Sequence, residues 1–217
     1  MKKKTRNILL SILIGAFLLC AIVGGTVYYY LFAPQFHPSK TVYVYIDRDD
    51  TADSIYNKIR QTGHVNQFTG FLWMAKYKKL NQNIHTGRYA IRPNDNVYHV
   101  FSRLSRGYQE PINLTIGSVR TLDRLARSVG KQLMIDSAEI ARHLFDSTFQ
   151  AEMGYTPITM ACLFIPETYQ VYWDMSVDDF FKRMQTEHQR FWNNERLARA
   201  TAIGMTPEEV CTLASIV

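Results

Sequence analysis

At 217 residues, 47% of them hydrophobic, the chain is long enough for one compact domain or two small ones and apolar enough for a real core, which excludes an intrinsically disordered protein. Its net charge of +6 comes from 25 Lys+Arg against 19 Asp+Glu, but Lys2, Lys3, Lys4 and Arg6 crowd the N-terminus, and without them the balance is 21 to 19. A nucleic-acid binder needs its basic excess on the folded part, so this distribution argues for no nucleic-acid partner.

After a basic tail of residues 1–7, residues 8–32 read ILLSILIGAFLLCAIVGGTVYYYLF without a charged side chain. Leu9 to Leu31 would extend roughly 33 Å as a helix, enough for a hydrocarbon core of about 30 Å. The segment is expected to cross a membrane once. The preceding KKKTR places the N-terminus in the cytoplasm, and Tyr28, Tyr29 and Tyr30 suit the far interface. A cleaved signal peptide fits less well, because the run is too long and no A-x-A-like site follows it. A lipoprotein attachment at Cys20 is disfavoured by the bulky Leu19 before it.

Residues 33–41 read as a polar, proline-bearing linker, and a first module spans 42–107. Val42 to Ile46 (VYVYI) predicts a strand. Asp50 or Thr51 can cap a helix with Ala52, Ile55 and Ile59 on one side, ending near Gly63, and a second helix runs through Phe68, Phe71, Leu72 and Ala75. A strand from Gly87 to Ile91, a turn at Pro93-Asn94-Asp95 and a helix from Asn96 to Leu104, stopped by Gly107, complete a β-α-α-β-α order.

The second module, 108–217, opens with a strand at Pro111 to Ile116 and becomes mostly helical. Leu122, Leu125, Ala126 and Val129 mark one helix. Asp136 or Ser137 caps another that carries Ile140, Ala141, Leu144 and Phe145. Ser176 and Asp179 form a capping box for a long helix with Phe180, Phe181, Met184, His188 and Phe191, and Gly204 closes the next one. The fold class is therefore α+β. His188, on the apolar face, is expected to be a satisfied core histidine rather than a catalytic one.

The last stretch, TPEEVCTLASIV, has a complete helix start: Thr206 as cap, Pro207 at the first helical position, and Glu209 three residues on to bond back to the cap. Glu208 and Glu209 oppose the helix dipole. Val210, Leu213, Ala214 and Val217 share the spacing of a buried face, yet no stop signal follows, so the sequence is expected to end within this helix. Of three cysteines, only Cys162 and Cys211 could pair intramolecularly, since Cys20 lies in the apolar run; buried free thiols are the preferred expectation. The six histidines lack metal-ligand spacing, which predicts no metal. Asn113-Leu-Thr115 matches a glycosylation sequon, and its place in a predicted strand marks it as coincidental.

Three stretches in order resemble the YceG-like family, membrane-bound endolytic murein transglycosylases of bacteria. GRYAI followed by PNDNVYHVFSRLSRG is similar to the second half of that family's LysM-like subdomain; Leu163-Phe-Ile-Pro-Glu-Thr-Tyr169 resembles its L/F-x-P-D/N-T-Y segment; and Leu213-Ala-Ser-Ile-Val217 matches the start of its catalytic helix. The sequence departs from that pattern at Glu167, where Asp or Asn is usual, and at Ala161-Cys162, where many members have Glu-Gly.

The resemblance implies a membrane-anchored enzyme, with its folded parts on the outer or periplasmic side of the bacterial cytoplasmic membrane. It would cleave the β-1,4 bond between N-acetylmuramic acid and N-acetylglucosamine in nascent peptidoglycan and so limit strand length. One glutamate serves as acid and then base while the muramoyl 6-hydroxyl closes a 1,6-anhydro ring, so no cofactor is required. That glutamate is expected immediately after Val217, so no catalytic residue falls within 1–217 and the 217 residues alone are expected to be inactive. In a helix the position would lie over Ala214 and Ser215, with Cys211 two turns back, a floor of small side chains that leaves room for a sugar and raises a carboxyl pKa. Without the resemblance, the same small residues would simply let another helix approach.

Glu167, Thr168, Tyr169, Tyr172 and Ser215 are the candidate substrate-binding residues, the tyrosines by ring stacking and hydrogen bonding; packing in a core or interface is the competing role for Tyr169, Tyr172 and Trp173. Pro166 holds Ile165 extended, which predicts a rigid turn or strand end there. Peptidoglycan glycan strands and the membrane are the expected partners, with cell-wall synthases as further ones. The alternative is a non-enzymatic scaffold that binds peptidoglycan through the LysM-like part and recruits synthesis proteins through the second module.

Overall fold

The computed structural model describes residues 2–80, 84–118 and 120–215. The chain divides into two compact units, Met1–Glu110 and Pro111–Val217, each α+β and each with one small antiparallel sheet among the described residues.

The first unit begins with α1 (Lys2–Leu31). Within it Leu10–Leu31 is long and apolar enough to cross a membrane, and its most apolar stretch is not buried by protein, whereas Leu31 at its end is buried in the core of the unit. Helix ends bury their backbone only where something meets it, and here α3 does: a Cβ added to Gly70 would lie 2.2 Å from Tyr30 O. Only glycine lets the two backbones come so close. Residues 33–41 are docked rather than free. Phe36 is fully buried and bridges to Val65, while Pro34 bridges to Asn96.

β1 (Val42–Ile46) pairs antiparallel with β2 (Gly87–Ile91), Val44 opposite Tyr89. Between them lie α2 (Ala52–Thr62) and α3 (Thr69–Tyr77), and α4 (Val97–Ser105) follows. Thr51 is the α2 cap, accepting from Ser54 N, which leaves Asp50 to pair with Lys58 and accept from Ser54 Oγ at 2.5 Å. Leu72, expected inside, is exposed. The buried side of α3 is set by Gly70, Phe71 and Ala75, because α1 is met through Gly70. One polar group anchors this core: Asp95, nearly buried, forms an ion pair with Arg103 and accepts from Arg92 N at 2.7 Å. Its carbonyl takes N–H groups from Gln35 and Phe36.

In the second unit β3 (Ile112–Ile116) pairs antiparallel with β4 (Glu167–Val171), Leu114 opposite Tyr169. Between the strands come α5 (Leu122–Gly130), α6 (Ser137–Phe145), α7 (Ser147–Glu152) and a 3-10 turn at Met160–Leu163; α8 (Val177–Phe191), α9 (Asn194–Ala202) and α10 (Pro207–Ala214) follow. Asp136 caps α6, and Asp146 breaks it to cap α7, which swings Phe145 outward to 61% exposure instead of into the core. Ser176 caps α8 through Asp179 N, but the return bond of the expected box is replaced by Ser176 Oγ donating to Asp179 at 2.7 Å. Leu114, Leu125, Val129, Ile140, Leu144, Phe180, Phe181 and Met184 fill the core.

Candidate functional site at the start of the last helix

The capping box of α10 forms as its sequence dictates: Thr206 Oγ1 accepts from Glu209 N at 3.2 Å, and Glu209 Oε2 accepts from Thr206 N at 2.8 Å. This fixes where the helix begins and therefore which side faces inward. Of the expected face of Val210, Leu213 and Ala214, only Val210 is half-buried. Leu213 is 49% exposed and Ala214 is exposed; Val217 lies outside the described residues. The α10 start rests on the 3-10 turn, where Cys162 Sγ donates to Glu208 O at 3.8 Å. The inward side is thus that of Glu208 and Cys211, one helical turn apart.

Around that contact sit five titratable groups: Tyr155, Cys162, His188, Glu208 and Cys211. Tyr155 Oη lies 3.3 Å from His188 Nδ1, and the two rings meet edge to face. Burial, then Glu208 and the two cysteines, push the Tyr155 hydroxyl up to about 12. Burial also raises Cys162, and lifts Cys211 to about 11 with help from Cys162 and Glu208. For His188 burial lowers the pKa, with Glu208 pulling the other way. A low-dielectric pocket favours the neutral form of each group, which is what all four shifts report. His188 Nε2 is buried without a hydrogen-bond partner among the described residues, as is Trp192 Nε1. The core histidine expected from the sequence is therefore only half satisfied. No group of three or more His, Cys, Asp or Glu among the described residues is placed to hold a metal ion.

The sequence-derived substrate residues divide between two places. Thr168 and Tyr172 share the exposed face of the β4 end, Tyr172 at 54% exposure, and Thr168 Oγ1 lies 3.1 Å from Thr115 Oγ1 across the sheet. Glu167 is exposed and accepts from Thr168 N at 3.0 Å. Tyr169 points the other way, because strand alternation sends it into the core. It is 6% exposed and its hydroxyl donates to Ile165 O at 2.7 Å, so packing accounts for it and no ring face is left for a sugar. Ser215 ends α10, exposed, with Oγ donating to Thr212 O at 2.7 Å. No hydrogen bond among the described residues joins it to β4. Sequence reasoning missed Tyr155 altogether, since no local pattern couples it to a histidine 33 residues away.

The YceG-like family's sequence model matches residues 44–217. No curated protein matches the chain. Among solved structures, a protein from Listeria monocytogenes described as yceG-like matches with 20% identity and a TM-score of 0.44, over 78% of this chain and 61% of that one. The chain thus spans about three fifths of that relative's length.

Proposed function

The chain belongs to the YceG-like family, the family of murein transglycosylases, and from that premise we propose that it forms the anchor and the leading part of a membrane-bound lytic transglycosylase. It cuts the β-1,4 bond between N-acetylmuramic acid and N-acetylglucosamine and leaves a 1,6-anhydro end, which limits strand length. The observation that carries this reading is the family match from residue 44 to Val217, which takes in FIPETY and LASIV. One helix near the N-terminus is, among the described residues, long and apolar enough to cross a membrane, which supports a single-pass anchor; in this reading the basic tail stays in the cytoplasm, and the LysM-like first unit and the second unit face the cell wall.

The chemistry assigned to the glutamate after Val217 needs a carboxyl that keeps its proton near neutral pH. Support comes from the side of α10 where Cys211 sits, since burial already drives that thiol up to about 11. Desolvation raises a carboxyl for the same reason it raises a thiol. One acid suffices, because the internal 6-hydroxyl replaces the water that other glycosidases activate with a second carboxylate. Thr168 on β4 and Tyr172 just after it, both exposed, are the candidates at that strand whose side chains reach solvent where a glycan would lie.

The rival is a peptidoglycan-binding scaffold without chemistry. Reading the coding sequence past Val217 separates the two: a glutamate there agrees with the enzyme, and a stop codon or a residue unable to donate a proton favours the scaffold. The enzyme reading also predicts that replacing that glutamate by glutamine abolishes cleavage while binding to glycan strands persists.

A further inference from the structure

Cys162 and Cys211, 49 positions apart in sequence, are brought together by the seating of α10 on the 3-10 turn. Cys162 Sγ reaches Glu208 O at 3.8 Å, one helical turn before Cys211, and the two thiols lie near enough for each to shift the other's pKa. Neither sulfur is covalently bonded to a partner: both are free and half-buried, while Cys20 lies exposed on α1. The neighbours offer no metal site, since no suitable donor group of three exists among the described residues.

We propose that Cys162 and Cys211 form a disulfide that ties the second turn of α10 to the 3-10 turn leading into β4. One thiolate attacks an external disulfide such as glutathione disulfide, forms a mixed disulfide and releases one external thiol. The second thiolate then attacks the cysteine sulfur of that mixed disulfide and releases the other. The protein loses two protons and two electrons, and the external disulfide is reduced to two thiols. Exchange runs through the thiolate, and burial keeps both sulfurs protonated once α10 is seated, so closure belongs to folding, before the helix settles. Afterwards the same burial shields the bond from reductants. Closing a loop of this length restricts the unfolded chain and anchors the helix start. That the clamp holds the helix carrying the catalytic acid rests on the function proposed above; the existence of the bond does not.

The test uses the full 217-residue chain in detergent, refolded in a glutathione redox buffer, then denatured in acid and labelled with a polymer-linked maleimide. Of three cysteines, only Cys20 is expected to label, whereas prior reduction should expose all three. Proteolysis and mass spectrometry should recover a peptide pair joining Cys162 to Cys211 that disappears in Cys162→Ser. Three labels without reduction, or a bond involving Cys20, would overturn the assignment. The oxidised chain should melt on the order of 10 °C above the reduced one, and equal melting temperatures would remove the clamp. None of these readouts depends on glycan cleavage, so a failed disulfide and a failed enzyme assignment remain distinguishable.

Discussion

The two units treat buried polarity in opposite ways. In the first, the Asp95 carboxylate is fully engaged by Arg103 and Arg92 N, and its carbonyl by Gln35 and Phe36, so the group locks the segment after α1 to the start of α4. In the second, Tyr155, His188, Cys162 and Cys211 share a desolvated pocket whose charges are suppressed rather than paired, and His188 Nε2 and Trp192 Nε1 lack partners among the described residues. A satisfied network rigidifies, whereas each unpaired polar group in a low-dielectric pocket carries a cost. The first arrangement suits a rigid module that follows the apolar helix α1; the second lies beneath the helix on which the proposed chemistry depends.

That contrast is most easily broken at Asp95. Asp95→Ala leaves Arg103 buried without its partner and is expected to cost the first unit about 3–5 kcal/mol, read from urea denaturation; a loss below 1 kcal/mol would make the pair ornamental. Gly70→Ala forces a methyl group onto Tyr30 O and should cost about 1–3 kcal/mol, detectable as a lowered midpoint in the same unit. Tyr155→Phe, in the second unit, removes one hydrogen bond to His188 and should cost only about 0.5–1.5 kcal/mol.

Acid should separate the units further. His188 is depressed below its ordinary value of 6.5 by burial, so the folded state binds its proton less readily than the unfolded one. The stability this gives is present above pH 6.5 and is lost as pH falls from there towards the folded value. For Asp50 burial pushes upward, but bonds from Lys58, Ser54 and the Asp47 N–H outweigh it and hold the carboxyl below 3.8. Its contribution survives until the pH drops below that value. Fluorescence titration of His188→Gln should flatten the second unit's response below pH 6.5 and leave the first unit's unchanged; an unaltered titration would mean that His188 is not the group responsible.

The sequence was legible where the determining contacts are local. The apolar run of α1, the Ser176 and Thr206 caps, the choice of Asp50 or Thr51 before α2 and the strands β1, β2 and β3 each follow from neighbours within a few residues, and they formed where expected; Asn96, read as the first residue of α4, is its cap. Leu72, Phe145 and Leu213 were misread because each belongs to an apolar period that tertiary context rotates: Gly70 turns α3 towards α1, Asp146 breaks α6, and the 3-10 turn draws α10 onto its Glu208 and Cys211 side. The pairing of β3 with β4, separated by some 50 residues, decided that Tyr169 lies inside and Thr168 outside. Nothing within either strand alone announces that partner. The Tyr155–His188 contact and the meeting of Cys162 with Cys211 are long-range in the same sense.

The central claim is bond cleavage with ring closure, and the direct measurement is the composition of glycan ends. Uncrosslinked peptidoglycan strands are incubated with the chain continued beyond Val217 and, separately, with the 217 residues alone, and the products are separated by mass. The account predicts new 1,6-anhydro-N-acetylmuramic acid ends from the longer protein and none from the shorter. Reducing ends in their place, or intact strands with both, would contradict it.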